Sequence, residues 1–128
     1  MAIPKLSRLE LRVMEVLWDR GECCVRDIVD TFPASKKPAY TTIQTTVYRL
    51  EAKKALRQTR KVGNVHVFEP IIGRSAAQRL LVDEILSVFG GRTQPLMTHL
   101  IESGRLTPED LKEAQKTFRR LSRKEKPE

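Results

Sequence analysis

The segment YTTIQTTVYRL, Tyr40 to Leu50, is the most informative part of the sequence for fold and function. Ile43, Val47 and Leu50 recur at i, i+4 and i+7, so they form one apolar stripe of a helix. Hydroxyl, amide and guanidinium groups on the other side can donate to phosphates and reach base edges. The alternative is a β-branched helix with an unremarkable polar face. The polar residues of this outward face are Thr41, Thr42, Gln44, Thr45, Tyr48 and Arg49.

The positive charge of the chain is concentrated in and just after this helix. The formal net charge is +8, and residues 33 to 68 carry eight basic side chains against a single acid, Glu51, which leaves +7 in this window. A run of lysines is usually only a solvated surface, but the acids that would form i, i+4 pairs with these bases are missing. A localised basic patch is typical of a polyanion-binding protein and favours nucleic acid. The eight bases are Lys36, Lys37, Arg49, Lys53, Lys54, Arg57, Arg60 and Lys61.

Length and composition limit the class of protein. A chain of 128 residues with 40% hydrophobic content suits one folded domain or two small ones. No apolar run approaches the roughly 20 residues of a membrane span, and the N-terminus lacks the long apolar segment of a secretory signal, so we expect a cytoplasmic location. An enzyme is poorly supported, because His66 and His99 are the only histidines and no glycine-rich phosphate loop or metal-spaced carboxylate cluster is present. We expect no cofactor.

The two cysteines, Cys23 and Cys24, are adjacent. Adjacent cysteines rarely bridge each other, because their Cβ vectors diverge. Without further cysteines, neither a disulfide framework nor a four-cysteine zinc site can form. We interpret the pair as small packing residues; redox or thiophilic-metal sensing is the alternative.

The first half of the chain, residues 1–72, has the pattern of a winged helix-turn-helix domain. Ser7 can cap a helix that runs to Arg20 and ends at Gly21, and proline stops a second helix that spans Val25 to Thr31. A loop, residues 34–38, leads to the third helix, Ala39 to Lys54, and to a hairpin with a glycine-bearing turn. In this order of elements the third helix enters the major groove and the hairpin lies along the backbone. The predicted inner face of the first helix is Leu9, Val13, Val16 and Leu17, and the predicted strands are Leu56 to Lys61 and Val65 to Pro70, around Val62-Gly63-Asn64.

The second half, residues 73–128, predicts three helices. Gly90-Gly91 separates the first from a short helix with Pro95 in its first turn, and Thr107 caps the last helix, whose apolar residues are spaced 3, 4 and 3. So short a segment buries too little surface to fold alone, and a second copy of the chain is the simplest partner. The tail, residues 122–128, is predicted to be frayed. The predicted dimerisation residues are Leu81, Ile85, Phe89, Leu96, Leu100, Leu111, Phe118 and Leu121.

From about Leu6 to Leu121 the chain resembles the penicillinase-repressor family of bacterial transcription regulators, the BlaI/MecI and CopY group. The resemblance implies an N-terminal winged-helix DNA-binding domain, a C-terminal helical dimerisation domain, and repression from a palindromic operator. In the antibiotic-resistance members it also implies a membrane sensor-protease system that leads to cleavage in the dimerisation domain. The motifs that carry it are LELRVMEVLWDRG at 9–21, VRDIV at 25–29, AYTTIQTTVYRLEAKKAL at 39–56, FGG at 89–91 and LTPEDL at 106–111.

Three positions depart from the family pattern. The family often has Lys-Gly-Leu after the recognition helix, whereas Lys54-Ala55-Leu56 stands here, and Ala55 is strained if the position needs a positive φ. The copper-sensing members carry clustered cysteines near the C-terminus, and this chain has none after Cys24. The β-lactam-responsive members are cut at an Asn-Phe bond. The matching candidate proteolysis site here is His99-Leu100, which lacks the asparagine and the phenylalanine of that signal. We therefore interpret His99 as a surface or interface histidine, and regulated cleavage at this bond is the alternative.

The pattern and the resemblance together predict a homodimeric repressor. Thr41, Thr42, Gln44 and Thr45 approach bases or nearby phosphates in the major groove, and Tyr48 and Arg49 contact the backbone. Arg60, Lys61, Asn64 and His66 of the hairpin neutralise phosphates or enter the minor groove. For Tyr48 the alternative is packing beside the hairpin, and for His66 it is a cross-strand polar contact.

Two other functions remain as alternatives. A winged helix can be a protein-interaction module, and a basic protein can bind nucleic acid without sequence preference. The basic window and the uncharged polar helix face argue against the first. RNA binding is a weaker rival, because an aromatic content of 5% leaves few stacking platforms for unpaired bases.

Overall fold

The computed structural model describes residues 3 to 125, with the side chain of Glu125 left aside. The described part is mainly helical with one small hairpin, which confirms the predicted fold class. No helix in it is long and apolar enough to cross a membrane. The elements are α1 (Arg8–Arg20), α2 (Val25–Asp30), a 3₁₀ turn (Ala34–Lys36), α3 (Tyr40–Ala52), β1 (Leu56–Val62), β2 (Val65–Pro70), α4 (Arg74–Val88), α5 (Gln94–Glu102) and α6 (Pro108–Glu125).

Helix α1 starts with a reciprocal cap. The Ser7 hydroxyl accepts from the Glu10 N–H at 3.2 Å, and the Glu10 carboxylate accepts from the Ser7 N–H at 2.8 Å. Its inner face differs in part from the prediction. Val13 and Leu17 are buried as expected, but Leu9 and Val16 are only half-buried, because the helix turns Met14 and the Glu10 side chain toward the core instead.

Helix α3 ends in a turn that corrects the expectation for Ala55. The Ala55 N–H donates to the Leu50 carbonyl at 2.9 Å and the Lys54 N–H donates to the Glu51 carbonyl at 3.0 Å. This pair of bonds is a Schellman motif, in which the residue one place past the helix cap takes the left-handed conformation. That residue is Lys54, with φ of 63°, so the strain lies at Lys54 and not at Ala55.

Several other boundaries differ slightly from the sequence predictions. Helix α2 ends at Asp30, one residue early, and α3 begins at Tyr40 and ends at Ala52, inside the predicted limits. Part of the expected loop over 34–38 is a 3₁₀ turn. Helix α6 continues through the segment predicted to fray as far as Glu125, and residues 126–128 of that segment lie outside the described residues.

Strands β1 and β2 form an antiparallel hairpin, called the wing below. Val62 pairs with Val65 and belongs to the strand, so the turn holds Gly63 and Asn64 alone. Gly63 has φ of 62°, a conformation that glycine adopts without strain. The register shifts between Gln58 and Arg60, which is a β-bulge. The wing is tied to the link before α2, because Cys23 and Phe68 exchange backbone hydrogen bonds of 3.1 and 2.9 Å.

The chain divides into two compact units, Met1–Val82 (unit 1) and Asp83–Glu128 (unit 2). The predicted domain boundary after residue 72 stays a prediction. Unit 1 contains α1 to α3, the wing and the first part of α4, where Ala77 is buried. The Trp18 indole in this unit donates to the Ile72 carbonyl at 2.9 Å. Among the described residues the buried apolar side chains all belong to unit 1: Leu6, Val13, Met14, Leu17, Cys23, Val25, Ile28, Val29, Ile43, Val47, Leu50, Ala55, Leu56, Val67, Phe68 and Ala77.

Unit 2 is built from short local devices. Gly90 and Gly91 have φ of 65° and 80°, so they can reverse the chain after α4 as a double glycine predicts. The Thr107 hydroxyl accepts from the Asp110 N–H at 3.2 Å and the Asp110 carboxylate accepts from the Thr107 N–H at 2.9 Å, which confirms the predicted start of α6. No residue from 83 to 124 is buried.

Candidate nucleic-acid interface

Helix α3 is held in unit 1 by its apolar stripe. Ile43, Val47 and Leu50 are fully buried, as the spacing predicts. Thr46 is also buried, and its hydroxyl donates to the Thr42 carbonyl at 2.8 Å, so this polar group does not need a partner from outside. With the stripe anchored, the outward face of α3 points to solvent. Its members Thr41, Thr42, Thr45, Tyr48 and Arg49 are exposed and Gln44 is half-buried.

The outward face borders two concavities. One is a cleft of about 600 Å³ between the start of α2, α3 and the wing, and the other is a hollow of about 350 Å³ toward α1. The structure thus gathers Gln44, Tyr48, Asn64 and His66 in one place. The cleft is lined by Cys24, Val25, Arg26, Tyr40, Gln44, Tyr48, Asn64, Val65, His66 and Phe68, and the hollow by Leu9, Thr41, Thr42, Thr45, Thr46 and Arg49.

For Tyr48 and His66 the sequence left structural alternatives open, namely packing beside the hairpin and a cross-strand polar contact. Tyr48 lines the cleft beside the wing, yet 48% of the residue is exposed and its hydroxyl has one long contact, 3.4 Å from the Gln44 amide nitrogen. His66 lies across from Lys61 in the hairpin register. Its Nδ1 atom is buried and has no hydrogen-bond partner among the described residues, so a cross-strand contact does not satisfy that nitrogen.

Half of the basic window is neutralised by acids that lie outside it in the sequence. Lys37 pairs with Asp30 at 3.2 Å, Arg57 with Glu69 at 2.5 Å, Lys53 with Glu10 at 2.7 Å and Arg60 with Glu22 at 3.6 Å. Counting only acids at i, i+4 in the sequence therefore overestimates the number of bases that lack an acidic partner. The other four bases of the window have no carboxylate within 4.0 Å in the described part of the chain: Lys36, Arg49, Lys54 and Lys61.

The pair of Lys53 with Glu10 is structural. The Glu10 side chain is 2% exposed, and the Lys53 ammonium also donates to the Lys5 carbonyl at 2.9 Å. Burial raises the pKa of the Glu10 carboxyl, but the hydrogen bonds from Lys53 and Ser7 outweigh it and the pKa lies below the ordinary 4.5. This ion pair joins the end of α3 to the start of α1, so it helps to fix the position of α3 in unit 1.

Arg26 and Tyr40 are candidate contacts that sequence reasoning missed. The Arg26 guanidinium lies 4.7 Å from the centre of the Tyr40 ring, and both residues line the cleft. A cation held over an aromatic face is partly preorganised for an anion. The pattern of α2 suggested only packing, since its apolar residues dominate. No local signal in the sequence marks Arg26, which precedes Tyr40 by 14 residues.

The cysteines fit the packing interpretation in part. Cys23 is buried, and burial raises the pKa of its thiol to about 12, so it is a poor nucleophile or metal ligand at neutral pH. Cys24 is half-buried and lines the cleft. Within residues 3 to 125 no group of three or more His, Cys, Asp or Glu side chains is placed to hold a metal ion.

The family model and the relatives found by sequence indicate one family. The family model described as penicillinase repressor matches residues 6–120. The penicillinase repressor of Bacillus licheniformis is 29% identical over 112 residues, which cover 87% of each chain. The transcriptional regulator BlaI of Mycobacterium tuberculosis is 32% identical over 103 residues, covering 78% of this chain and 74% of its own. The solution structure of the DNA-binding domain of the repressor BlaI aligns with a TM-score of 0.51 and 32% identity, over 59% of this chain and 90% of that one.

Proposed function

Because the chain belongs to the penicillinase repressor family and is a DNA-binding transcriptional repressor, we propose that it acts as a homodimer on an operator with two inverted half-sites. The single observation that carries the proposal is the outward face of α3. Its fully buried stripe leaves a row of hydroxyl groups exposed beside the half-buried Gln44 amide, and no acidic side chain occurs on this helix before Glu51. Such a row can enter the major groove without repelling phosphates.

Within the groove the two sides of the outward face have different tasks. Thr41, Thr42 and Thr45 lie along the hollow and reach bases or nearby phosphates, with Arg49 on the backbone at its end. Gln44 and Tyr48 lie on the cleft side, next to the wing. Gln44 is the side chain best suited to specify a base, since an amide can form a bidentate contact to adenine.

The wing supplies backbone contacts. Lys61 and Asn64 are exposed at the turn end of the hairpin, and Lys61 is free of ion pairs among the described side chains, so both can meet phosphates directly. Arg60 must first release Glu22, which makes it a weaker contact than its charge suggests. His66 is half-buried in the cleft, where its unpartnered Nδ1 can receive or donate a hydrogen bond once a ligand group enters.

Dimerisation rests on the lack of a core in unit 2. Its apolar side chains face solvent, most of all Phe118 at 72% exposed and Val88 at 84%. An exposed apolar surface of this kind is usually covered by a partner, and a second copy gives a two-fold symmetric interface. The proposed contact residues of unit 2 are half-buried at Leu96 and Leu100 and exposed at Ile85, Phe89, Leu111, Phe118 and Leu121, and the half-buried Leu81, at the end of unit 1, is proposed with them.

Relief of repression by proteolysis is the proposed induction mechanism. A relative is described as a penicillinase repressor, and a membrane sensor-protease system is the candidate partner that could relieve repression. Its candidate cleavage site, His99-Leu100, lies inside α5, where the His99 carbonyl accepts from the Ser103 N–H at 2.9 Å. Cleavage there requires local unfolding of α5. The proposed site of action is the cytoplasm.

Selection of bound duplexes from a random library tests the proposal. We expect two inverted half-sites whose centres are about one helical turn apart or a multiple of it. Gln44→Ala and Thr45→Ala should blur the selected bases, each by about 1 to 3 kcal/mol of discrimination per base pair. Gln115→Ala, an exposed amide on α6, is the matched control and should leave the selected sequence unchanged. Enrichment of single half-sites as strongly as inverted pairs would contradict the dimer, and an unchanged sequence in both test variants would contradict the assignment of α3.

A further inference from the structure

Helix α6 of unit 2 carries a second concentration of positive charge. From Lys116 to Lys124 it has basic residues at i, i+3, i+4, i+7 and i+8, and no acid occurs between Ala114 and Lys124. This spacing places all of them on one side of a helix. The five side chains are exposed and surround one hollow of about 330 Å³. The members of this cationic stripe are Lys116, Arg119, Arg120, Arg123 and Lys124.

The stripe lies on the side of α6 opposite to the apolar seam. At about 100° per residue, Phe118 falls roughly 160° from the position of Lys116, and Leu111 and Leu121 flank Phe118. The exposed fractions of Phe118, Leu111 and Leu121 are 72%, 39% and 45%. A second copy that covers the seam therefore leaves the cationic stripe on the outside of the dimer, where it is open to another partner.

The charge density of the stripe is in the range that suits a nucleic acid, between the density of a duplex and that of a single strand. Five positive groups lie along eight helical steps, or about 12 Å at 1.5 Å per residue, which is about one charge per 2 to 3 Å. Duplex DNA carries one negative charge per about 1.7 Å of axis, whereas a single strand offers half of that density. Three of the five bases are arginines, whose guanidinium groups match phosphate geometry in a bidentate way.

We propose that the cationic stripe of α6 is a second surface for duplex DNA, which binds the phosphate backbone without reading sequence. It adds affinity for DNA outside the half-site that α3 contacts, and it adds salt dependence. Lys116 is partly satisfied by Glu113 at 3.0 Å, so the arginines are the main contacts. The inference goes beyond the proposed function, because α3 could recognise an operator with or without this surface.

The test compares two double variants of equal charge in the full-length protein. Arg120→Gln with Arg123→Gln removes the centre of the stripe, whereas Arg92→Gln with Arg105→Gln removes two exposed arginines of unit 2 that lie off it. Binding to a duplex that contains the selected operator and to a random duplex is measured by fluorescence anisotropy across a salt series. For the stripe variant we expect the slope of log K against log salt to fall by about 0.9 for each phosphate that the variant no longer neutralises, on both duplexes alike. The control should keep the wild-type slope.

Three further readouts separate this surface from the recognition helix. Sedimentation equilibrium should show the same association for both double variants, since glutamine keeps the helix and the seam. The ratio of operator to random affinity should be unchanged in the stripe variant, whereas Gln44→Ala lowers that ratio and keeps the slope. Identical slopes for the stripe variant and its control would overturn the proposal, as would a decrease in affinity for single-stranded RNA that exceeds the decrease for duplex DNA. Neither result bears on the reading of DNA by α3, which fails only if Gln44→Ala and Thr45→Ala leave the operator preference intact.

Discussion

Unit 1 and unit 2 use their apolar residues in opposite ways. Unit 1 buries side chains from each of its α-helices and strands, including Phe68 of the wing and Leu50 of α3, at 1% and 0% exposure. Unit 2 has comparable apolar residues, yet none from 83 to 124 is buried. The first unit is therefore stabilised by its own hydrophobic core. In the proposed homodimer a second copy covers the apolar residues of unit 2 and stabilises it, whereas unit 1 carries the DNA-binding helix on its own core.

The largest expected effect separates the two units by a pair of matched substitutions. Phe68→Ala should lower the free energy of unfolding of unit 1 by about 3 to 5 kcal/mol, because it leaves a cavity beneath the wing. Phe118→Ala, at a residue 72% exposed, should change that free energy by less than about 0.5 kcal/mol. Urea denaturation can be followed through Trp18, the single tryptophan, whose indole is hydrogen-bonded to Ile72 in unit 1.

The same pair should have the reverse effect on self-association. Phe118→Ala should weaken the dimer by about 2 kcal/mol or more, as truncation of a central aromatic anchor does, and sedimentation equilibrium measures it. Phe68→Ala should leave association unchanged under conditions where unit 1 stays folded. If Phe118→Ala proved neutral in both assays, the exposed seam of α6 would not be the interface.

An intermediate effect on the free energy of unfolding is expected for the ion pair between Lys53, at the end of α3, and Glu10 of α1. Glu10→Gln should lower the free energy of unfolding by about 1 to 3 kcal/mol at neutral pH, because it leaves the Lys53 ammonium with a weaker acceptor. This effect is smaller than that of breaking a fully buried ion pair, because Lys53 is one-third exposed to solvent. Since the pKa of Glu10 is lower in the folded protein than its ordinary 4.5, its stabilisation is present above that pH and is lost as the pH falls through the folded pKa. Wild type should lose more stability than Glu10→Gln between neutral pH and about pH 3. Parallel pH curves for the two proteins would show that the pair contributes nothing.

The smallest effect tests the turn after α3. Lys54→Gly should stabilise unit 1 by about 1 kcal/mol, since glycine removes the strain of a positive φ. Ala55→Gly is the matched control at the adjacent residue, and it should destabilise, because Ala55 is buried and its φ is not positive. Thermal unfolding of both variants decides the matter, and the opposite order would place the left-handed residue at Ala55, as the family pattern suggests.

Helix caps, turns and apolar stripes could be predicted because residues close together in the sequence form them. Spacings of two to seven residues are enough to predict the caps at Ser7 and Thr107, the stripe of Ile43, Val47 and Leu50, and the hairpin around Gly63. The candidate site was predictable to the same extent, since its outward face is the complement of the stripe. Arg26 was missed because its relation to Tyr40 depends on how α2 packs against α3.

The charge of the site shows where sequence reasoning stops. Four of the eight bases of the window find acids from 7 to 43 residues away, and no local rule counts such pairs. Glu10 illustrates the point. As the third residue of α1 it is an ordinary capping acid, and only the fold places the Lys53 ammonium 2.7 Å from it in a buried position.

Three features could be predicted from the amino-acid sequence because each depends on periodicity along one element: the order of helices and strands, the outward face of α3 and the apolar excess of the C-terminal half. The tertiary structure alone decided which bases remain free for phosphates, that the wing is fastened to the main chain of Cys23, and that Lys54 rather than Ala55 carries the strained turn. The physical reason is distance. Coulombic pairing and hydrogen bonding act over a few ångströms, and residues far apart in the chain reach that range only after the core has set the positions of the elements.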